Sequence, residues 1–144
     1  MTAEFRYSVR PEPLAVRALR GDVRDALEPL GVDDRTIGSV VLVLDELVNN
    51  SIEHGLSYRG ADDSFDVVVE VADQRIGVEF HDPAVPPDVL QEILSMFASV
   101  ADGAPPPDFE RGRGLFLISD GLEQLRVESA DEGRGMRVRG HVAR

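Results

Sequence analysis

The chain has 144 residues, of which 42% are hydrophobic, and its formal net charge is -12. This length and hydrophobic content are typical of one folded domain and argue against disorder. Because an acidic chain repels phosphate backbones, the composition disfavours direct binding to nucleic acid and favours a basic protein surface as partner.

Residue types that are missing from the chain exclude several kinds of site. Every positive side chain is arginine, so a lysine phosphate clamp of the P-loop type is excluded. There is no cysteine, which excludes disulfides, thiol nucleophiles and cysteine metal sites. No apolar run approaches the roughly 18 residues of a membrane span, and the N-terminus lacks the apolar core of a signal peptide. We therefore expect a cytoplasmic protein with no membrane contact.

The N-terminal third predicts one strand followed by two helices. Polar and apolar residues alternate over 4–9, which predicts a short strand with Phe5, Tyr7 and Val9 on one face. Apolar residues at helical spacing predict a helix over about 13–30, with a proline in its first turn. Asp33 suits the N-cap of a second helix, which runs to about residue 54 and ends at Gly55.

The second helix carries the most informative pattern in the chain. Its apolar residues form one core-facing stripe, whereas Glu46, Asn50 and His54 recur at four-residue steps on a different face. A carboxylate and a carboxamide one turn apart are oxygen ligands of the kind that magnesium takes. Asn is a poor former of helix interiors, so Asn50 favours a functional role over a merely solvated face. His54, beside Gly55, is interpreted as a partner of the helix dipole.

The rest of the chain predicts two strand pairs around a helical region. Strands are expected over 65–71 and 76–80, with Asp82 where the second strand opens into a loop, and over 125–128 and 136–142. Asp88 is expected to cap a short helix between the pairs. Strands and helices thus segregate along the chain, without the parallel alternation of a Rossmann domain. The sequence predicts an α+β two-layer sandwich formed by 1–144 as a single domain.

A long loop precedes the last helix. Residues 99–111 are rich in Ala, Gly, Pro and Asp, and such a loop inside a compact domain is often a lid or binding loop. It runs through Arg111, Gly112, Arg113 and Gly114 into an apolar helix that starts at Leu115. Glycines before a helix N-terminus expose backbone N–H groups to an anion.

Three separated motifs therefore occur in one order, on a helix, after a strand and after a long loop: Glu46-x-x-x-Asn50-x-x-x-His54, Asp82, and Gly112-x-Gly114-Leu115. In these motifs the chain resembles the ATP-binding domain shared by DNA gyrase, MutL and sensor histidine kinases. Within that superfamily it looks most like the small anti-sigma-factor serine kinases. The resemblance covers nearly the whole chain and implies a mixed, mostly antiparallel sheet covered by helices on one face.

The resemblance also implies a role for each motif residue, with ATP and Mg²⁺ as cofactors. Glu46 would be the general base toward a substrate serine or a water, Asn50 the magnesium ligand, and Asp82 the acceptor of the adenine amino group. The long loop would be the ATP lid. The nucleotide phosphates would meet the start of the last helix, formed by Arg111, Gly112, Arg113, Gly114 and Leu115.

Two functional hypotheses stay open on the sequence. In the first, the protein is a magnesium- and ATP-dependent serine kinase that phosphorylates an anti-anti-sigma antagonist, sequesters a sigma factor, and dimerises through its N-terminal edge strand. In the second, the same fold binds nucleotide weakly or not at all and regulates by holding a partner protein. Glu46 and Asn50 favour the first hypothesis. The second is favoured by Ala84, Pro86 and Met136, which stand where the family carries two glycines and a threonine.

Overall fold

The sheet is the layer against which the helices pack. A computed structural model describes residues 2–60, 62–101, 110–131 and 134–144. The strands in these ranges are β1 (Ala3–Val9), β2 (Phe65–Val71), β3 (Arg75–Asp82), β4 (Glu123–Asp131) and β5 (Arg134–Ala143). They form one sheet in the order β1-β2-β3-β5-β4, and all four pairings between neighbours are antiparallel. β1 therefore lies at one edge of the sheet, as the sequence predicts.

The helices in the described ranges are α1 (Pro13–Leu27), α2 (Asp34–His54), α3 (Pro87–Ala101) and α4 (Glu110–Gly121). Short 3-10 turns follow the first two helices, at Glu28–Leu30 and Gly55–Ser57. None of the helices in this described part of the chain has the length and apolarity to cross a membrane. The predicted α+β sandwich is confirmed.

One face of the sheet is buried because apolar residues alternate along its central strands. On β2 the buried positions begin with Phe65, and on β3 they include Phe80 and end at Asp82. The rings of Phe65 and Phe80 lie 5.3 Å apart in a tilted arrangement, which joins the two strands in the core. Because β3 continues this alternation to its last residue, Asp82, the carboxylate of Asp82 points to the core side of the sheet.

The predicted N-cap of α2 is confirmed in the structure. The Asp33 side chain accepts a hydrogen bond of 2.7 Å from the backbone N–H of Thr36. Hydrogen bonds from the Thr36 side chain and, second, from its backbone N–H lower the pKa of Asp33 below its ordinary value, because they stabilise the ionised carboxylate. The cap fixes where α2 begins and hence which of its residues face the sheet.

α4 crosses α2 at two glycines. A Cβ atom built on Gly121 would lie 2.7 Å from Val43 of α2, and one built on Gly114 would lie 2.6 Å from Asn50. The two glycines are seven residues apart and therefore share one face of α4. Their lack of side chains lets the two helices approach more closely than larger residues would allow.

Several predicted boundaries shift in the structure. α1 ends at Leu27 and not near residue 30, because Pro29 lacks the N–H that an α-helical hydrogen bond would use. α3 begins at Pro87 and extends to Ala101, so it includes residues 99–101 of the predicted loop. The sequence has no glycine or proline between residues 88 and 102 that would end this helix earlier.

Candidate functional site

α2 presents Glu46 and Asn50 beside its buried stripe. The fully buried residues of this helix include Val40, Leu44 and Val48, which pack in the core. Glu46 and Asn50 lie one turn apart and are half-buried. The helix thus holds a carboxylate and a carboxamide at the border between core and solvent, where a bound group can reach both.

Gly114 lies directly against these two side chains. A Cβ on Gly114 would lie 2.6 Å from Asn50 Nδ2 and 2.7 Å from Glu46 Oε2. Distances under 3 Å are too short for a real Cβ contact, so glycine lets the two side-chain ends lie where they do, and a larger residue would displace them. The structure therefore brings Glu46, Asn50 and Gly114 together at the crossing of α2 and α4.

The glycine-rich segment begins α4 and does not precede it. The sequence predicts the helix from Leu115, but α4 begins at Glu110, so Gly112 and Gly114 are already helical. The first four N–H groups of a helix have no partner within it, and here they include that of Gly112 but not that of Gly114.

The Asn50 amide has an unsatisfied hydrogen-bond donor where α2 and α4 cross. Its Nδ2 atom is buried and has no hydrogen-bond partner among the residues that the structure describes. Rotation of the side-chain amide by 180° exchanges Nδ2 with Oδ1, so the same place can present an oxygen. A buried polar group without a partner is unfavourable by about 1–3 kcal/mol, and a ligand that bonds to it removes that penalty.

Asp82 lies at the other end of the site and is fully buried. Its Oδ1 accepts a 2.6 Å hydrogen bond from Arg59 Nη1, and its Oδ2 accepts a 2.7 Å bond from Arg59 Nη2. Oδ1 also accepts a 3.1 Å bond from the backbone N–H of Ala84. The carboxylate is therefore held by a two-pronged ion pair and by its own loop.

Arg59 is the important residue that sequence reasoning missed. Its side chain is only 4% exposed, its Nη2 donates to the carbonyl of Ser51 at 2.8 Å, and its guanidinium carbon lies 4.4 Å from the centre of the Phe65 ring. A Cβ on Gly55 would lie 2.7 Å from that carbon, so the glycine after α2 makes room for Arg59. Gly55 itself has an ordinary right-handed φ of -86° and is not a left-handed helix cap.

One sequence signal pointed to Arg59. A buried carboxylate in a chain without lysine needs an arginine partner, and Arg59 is the one arginine between residues 36 and 74. It lies in the polar segment between α2 and β2. Its neighbour Tyr58 shares the environment: burial raises the pKa of Tyr58, and the charge of Asp82 raises it further.

A cavity joins the Asn50 and Asp82 ends of the site. The space open to the centre of a water molecule is about 30 Å³, enough for one or two waters. His54 and Tyr58 also line the cavity. The remaining walls are mostly apolar and come from helices α2, α3 and α4 and strand β5: Leu47, Ile93, Phe97, Leu115, Ile118 and Met136.

The positions that depart from the family pattern lie around Asp82. Ala84 keeps a backbone N–H and donates it to the carboxylate. Gly135 has a φ of +79°, and its N–H donates to the carbonyl of Val85 at 3.0 Å, which ties β5 to the loop after β3. Met136 pairs with Asp82 in the β3–β5 register and is buried, without a hydroxyl to offer.

Some predicted site residues fall where the structure gives no side-chain description. The side chains of Arg111 and Arg113, the burial of Gly112 and most of the predicted lid, residues 102–109, lie outside the described part of the chain. Leu115 is buried and lines the cavity.

The donor set suits a magnesium nucleotide at the Asn50 end. Among the described residues there is no cluster of three or more His, Cys, Asp or Glu side chains that would hold a metal alone. Mg²⁺ bound with a nucleotide does not need one, because it takes one or two protein oxygens and completes its shell with phosphates and water. The Asn50 amide fits that requirement, because it lines the cavity and has a buried polar atom without a partner among the described residues.

Comparisons with known proteins agree with this fold. The family model of the histidine kinase-like ATPase domain matches residues 9–140. The fold is similar to a crystal structure of the SiaB–SiaC complex from Pseudomonas aeruginosa, with a TM-score of 0.79 and 16% identity over 96% of this chain and 88% of that chain. It is also similar to the RsbU and RsbW domains of Rv1364c from Mycobacterium tuberculosis, with a TM-score of 0.61 and 16% identity over 99% of this chain but 33% of that one. A search of curated proteins found no match.

Proposed function

Because the chain belongs to the histidine kinase-like ATPase domain family, we propose that it is a magnesium- and ATP-dependent protein serine kinase of the anti-sigma type. It would phosphorylate an anti-anti-sigma antagonist and hold a sigma factor while the antagonist is phosphorylated. The observation that carries the proposal is the meeting of Glu46, Asn50 and Gly114 at the crossing of α2 and α4.

The residues at this crossing suit phosphoryl transfer. The reaction depends on positioning and on charge neutralisation more than on covalent chemistry by the protein. Mg²⁺ supplies the neutralising charge when it is bound with ATP. Asn50 would hold the metal, and the start of α4 would face the phosphates with its free N–H groups. Glu46, one turn before Asn50, would take the proton of the attacking hydroxyl.

The comparisons and the charge of the chain support a protein partner. One similar structure is a complex of SiaB with SiaC, and another contains an RsbU domain together with an RsbW domain. These support a regulatory protein as the partner of this chain. The net charge of -12 favours a partner with a basic surface.

We include a homodimer in the proposal, formed through β1. This strand is at the edge of the sheet, and its exposed positions Glu4, Arg6 and Ser8 alternate with partly buried apolar ones. An edge strand has unpaired backbone groups that a second copy can bond. Light scattering at micromolar concentration and above is expected to show a mass of two chains, and a purely monomeric result would remove this part of the proposal.

The test of the kinase function is transfer of radiolabelled phosphate from ATP to a candidate antagonist. Glu46→Ala is expected to slow transfer by about 10²–10⁴-fold, the usual contribution of a positioned base, while magnesium-ATP still binds. Glu53→Ala is the matched control, since Glu53 lies on the same helix and is exposed. Undiminished transfer by Glu46→Ala would exclude its role as the base.

A second candidate function rests on the Asp82 end of the site. Its carboxylate is already bonded to Arg59, the cavity beside it is small, and Met136 offers no hydroxyl. These observations favour a module that regulates by holding its partner, with little or no nucleotide. Measurements on the wild-type protein distinguish the two functions. The binding module is favoured if the partner binds equally well with and without magnesium-ATP and if no phosphate is transferred.

A further inference from the structure

The Asp82 carboxylate lies between two different surroundings. β3, which ends at Asp82, has β2 on one side and β5 on the other. Arg59 stacks over Phe65, the first residue of β2. The cavity is lined by Met136 and by other residues of β5 and the helices. Arg59 therefore meets the carboxylate from the β2 side, and the cavity opens on the β5 side.

The hydrogen bonds to Asp82 leave one acceptor position available. An ionised carboxylate has about four lone-pair sites, two on each oxygen. Oδ1 accepts from Arg59 and from Ala84, whereas Oδ2 accepts from Arg59 alone in the described part of the chain. Asp82 lines the cavity, but Arg59 is not among the described residues that do so. The unused position on Oδ2 is thus the one available to a group in the cavity.

We propose that Arg59 is the positioning residue for Asp82: it fixes the carboxylate so that Oδ2 accepts from the exocyclic amino group of a purine in the cavity. This inference rests on the proposed function, because it assumes that adenine binds there. Arg59 does from the β2 side what a hydroxyl at position 136 would do from the β5 side. Met136 pairs directly with Asp82, but its side chain has no hydroxyl to donate.

Arg59 suits this role because its own position is fixed. Ser51, Phe65 and Gly55 hold the guanidinium by a hydrogen bond, a ring contact and a close approach to the backbone. A two-pronged guanidinium fixes both the position and the plane of a carboxylate, whereas a lysine ammonium is a point charge and leaves the plane free. Positioning of the Asp82 carboxylate therefore requires the two-pronged geometry of the Arg59–Asp82 pair as well as its charge.

The test compares the affinities for magnesium-ATP and magnesium-ITP by calorimetric titration. ITP carries an oxygen in place of the amino group, so the ATP-to-ITP preference reports the hydrogen bond to Asp82. We expect the wild type to prefer ATP by about tenfold or more. Arg59→Lys keeps the positive charge but cannot form the two-pronged hydrogen bond. We expect this variant to lose most of the preference for ATP over ITP. A thermal melt verifies that the variant is folded.

Rescue separates positioning from a general effect on structure. In Arg59→Lys, the added substitution Met136→Thr supplies a hydroxyl opposite Asp82 and should restore the ATP preference. In the wild type the same Met136→Thr should change the preference by less than about threefold, since Asp82 is already held. This comparison of the wild type with Met136→Thr needs no Arg59 variant. A tenfold increase in the ATP-to-ITP preference of Met136→Thr would overturn the proposal. Arg20→Met, which removes the exposed pair with Asp45, is the control and should leave the preference unchanged.

Two other outcomes would overturn the proposal in different ways. If Arg59→Lys keeps the wild-type preference, Arg59 does not position Asp82, and the proposed kinase function is untouched. If Arg59→Lys binds ATP more tightly than the wild type, the guanidinium competes with the base for Asp82. Failure of the wild type to bind either nucleotide would overturn both this inference and the proposed function.

Discussion

The two ends of the cavity differ in whether their buried polar groups have hydrogen-bond partners within the described part of the protein. At one end, Asn50 has a buried amide nitrogen without a partner in the described part of the chain, and Gly114 packs against that amide. At the other end, both oxygens of Asp82 are bonded to Arg59. The first end therefore has a polar atom available to a ligand, whereas most acceptor positions at the second end are already used. We infer that a ligand gains most of its contacts at the Asn50 end and uses Asp82 for selectivity.

Breaking the ion pair of Asp82 should have the largest effect on stability. Removing one member leaves a buried charge without a partner, so Arg59→Met and Asp82→Leu should each lower the free energy of unfolding by about 3–5 kcal/mol. The double variant should be less destabilised than the sum of the two, because it replaces the pair with apolar groups. Urea unfolding measures all three.

The matched control for this cycle is the exposed pair between Arg20 and Asp45. Its members are about half and a fifth exposed, so Arg20→Met should cost no more than about 1 kcal/mol. Strict additivity of the Arg59 and Asp82 effects would contradict the description of a coupled buried pair. The pair also makes Asp82→Asn a poor probe of adenine recognition alone, because the substitution disturbs the fold as well.

A methyl group at the Asn50 end should impair nucleotide binding with little change elsewhere. Gly114→Ala places a Cβ within 2.7 Å of Glu46 and Asn50, and these side chains must move. We expect magnesium-ATP affinity to fall by about tenfold or more, a loss equal to one or two hydrogen bonds. Gly38→Ala on α2 is the control, since nothing lies within 4 Å of its Cβ, and it should stabilise the fold by about 0.4–1 kcal/mol. Equal nucleotide affinity in the two variants would separate Gly114 from the site.

The smallest effect is expected from restoring a family glycine at the Asp82 end. Ala84→Gly keeps the N–H that bonds to Asp82, so nucleotide affinity should change by less than about threefold. The free energy of unfolding should fall by about 0.5–1 kcal/mol, because glycine loses more backbone freedom on folding. A large gain in ATP affinity, measured by the same titration, would show that Ala84 limits access of adenine to the Asp82 end of the cavity.

The elements of the fold could be predicted from the sequence because each is determined locally. Alternation predicts β2, the spacing of Glu46 and Asn50 places them on one face of α2, and Asp33 marks where that helix begins. The start of α4 was predicted too late, since its glycines suggest a loop. They are tolerated in a helix because Gly114 and Gly121 pack against α2.

The contact between Arg59 and Asp82 could not be derived in the same way. The two residues are 23 positions apart, and nothing in the loop around Arg59 indicates the direction of its side chain. The glycine after α2 suggested a helix end, although its packing role is to admit the guanidinium. Contacts of this kind depend on the assembled fold and on which buried charge needs a partner, and they decide how the site binds.

Calorimetric titration of the wild-type protein with ATP, in magnesium and again in excess chelator, tests the central claim most directly. Because Asn50 is proposed to hold the metal, we predict that ATP binds at least about tenfold more tightly with magnesium, and that Asn50→Ala abolishes this difference. Binding that is independent of magnesium, or equal in the wild type and Asn50→Ala, would contradict the assignment of the Asn50 end to a magnesium nucleotide.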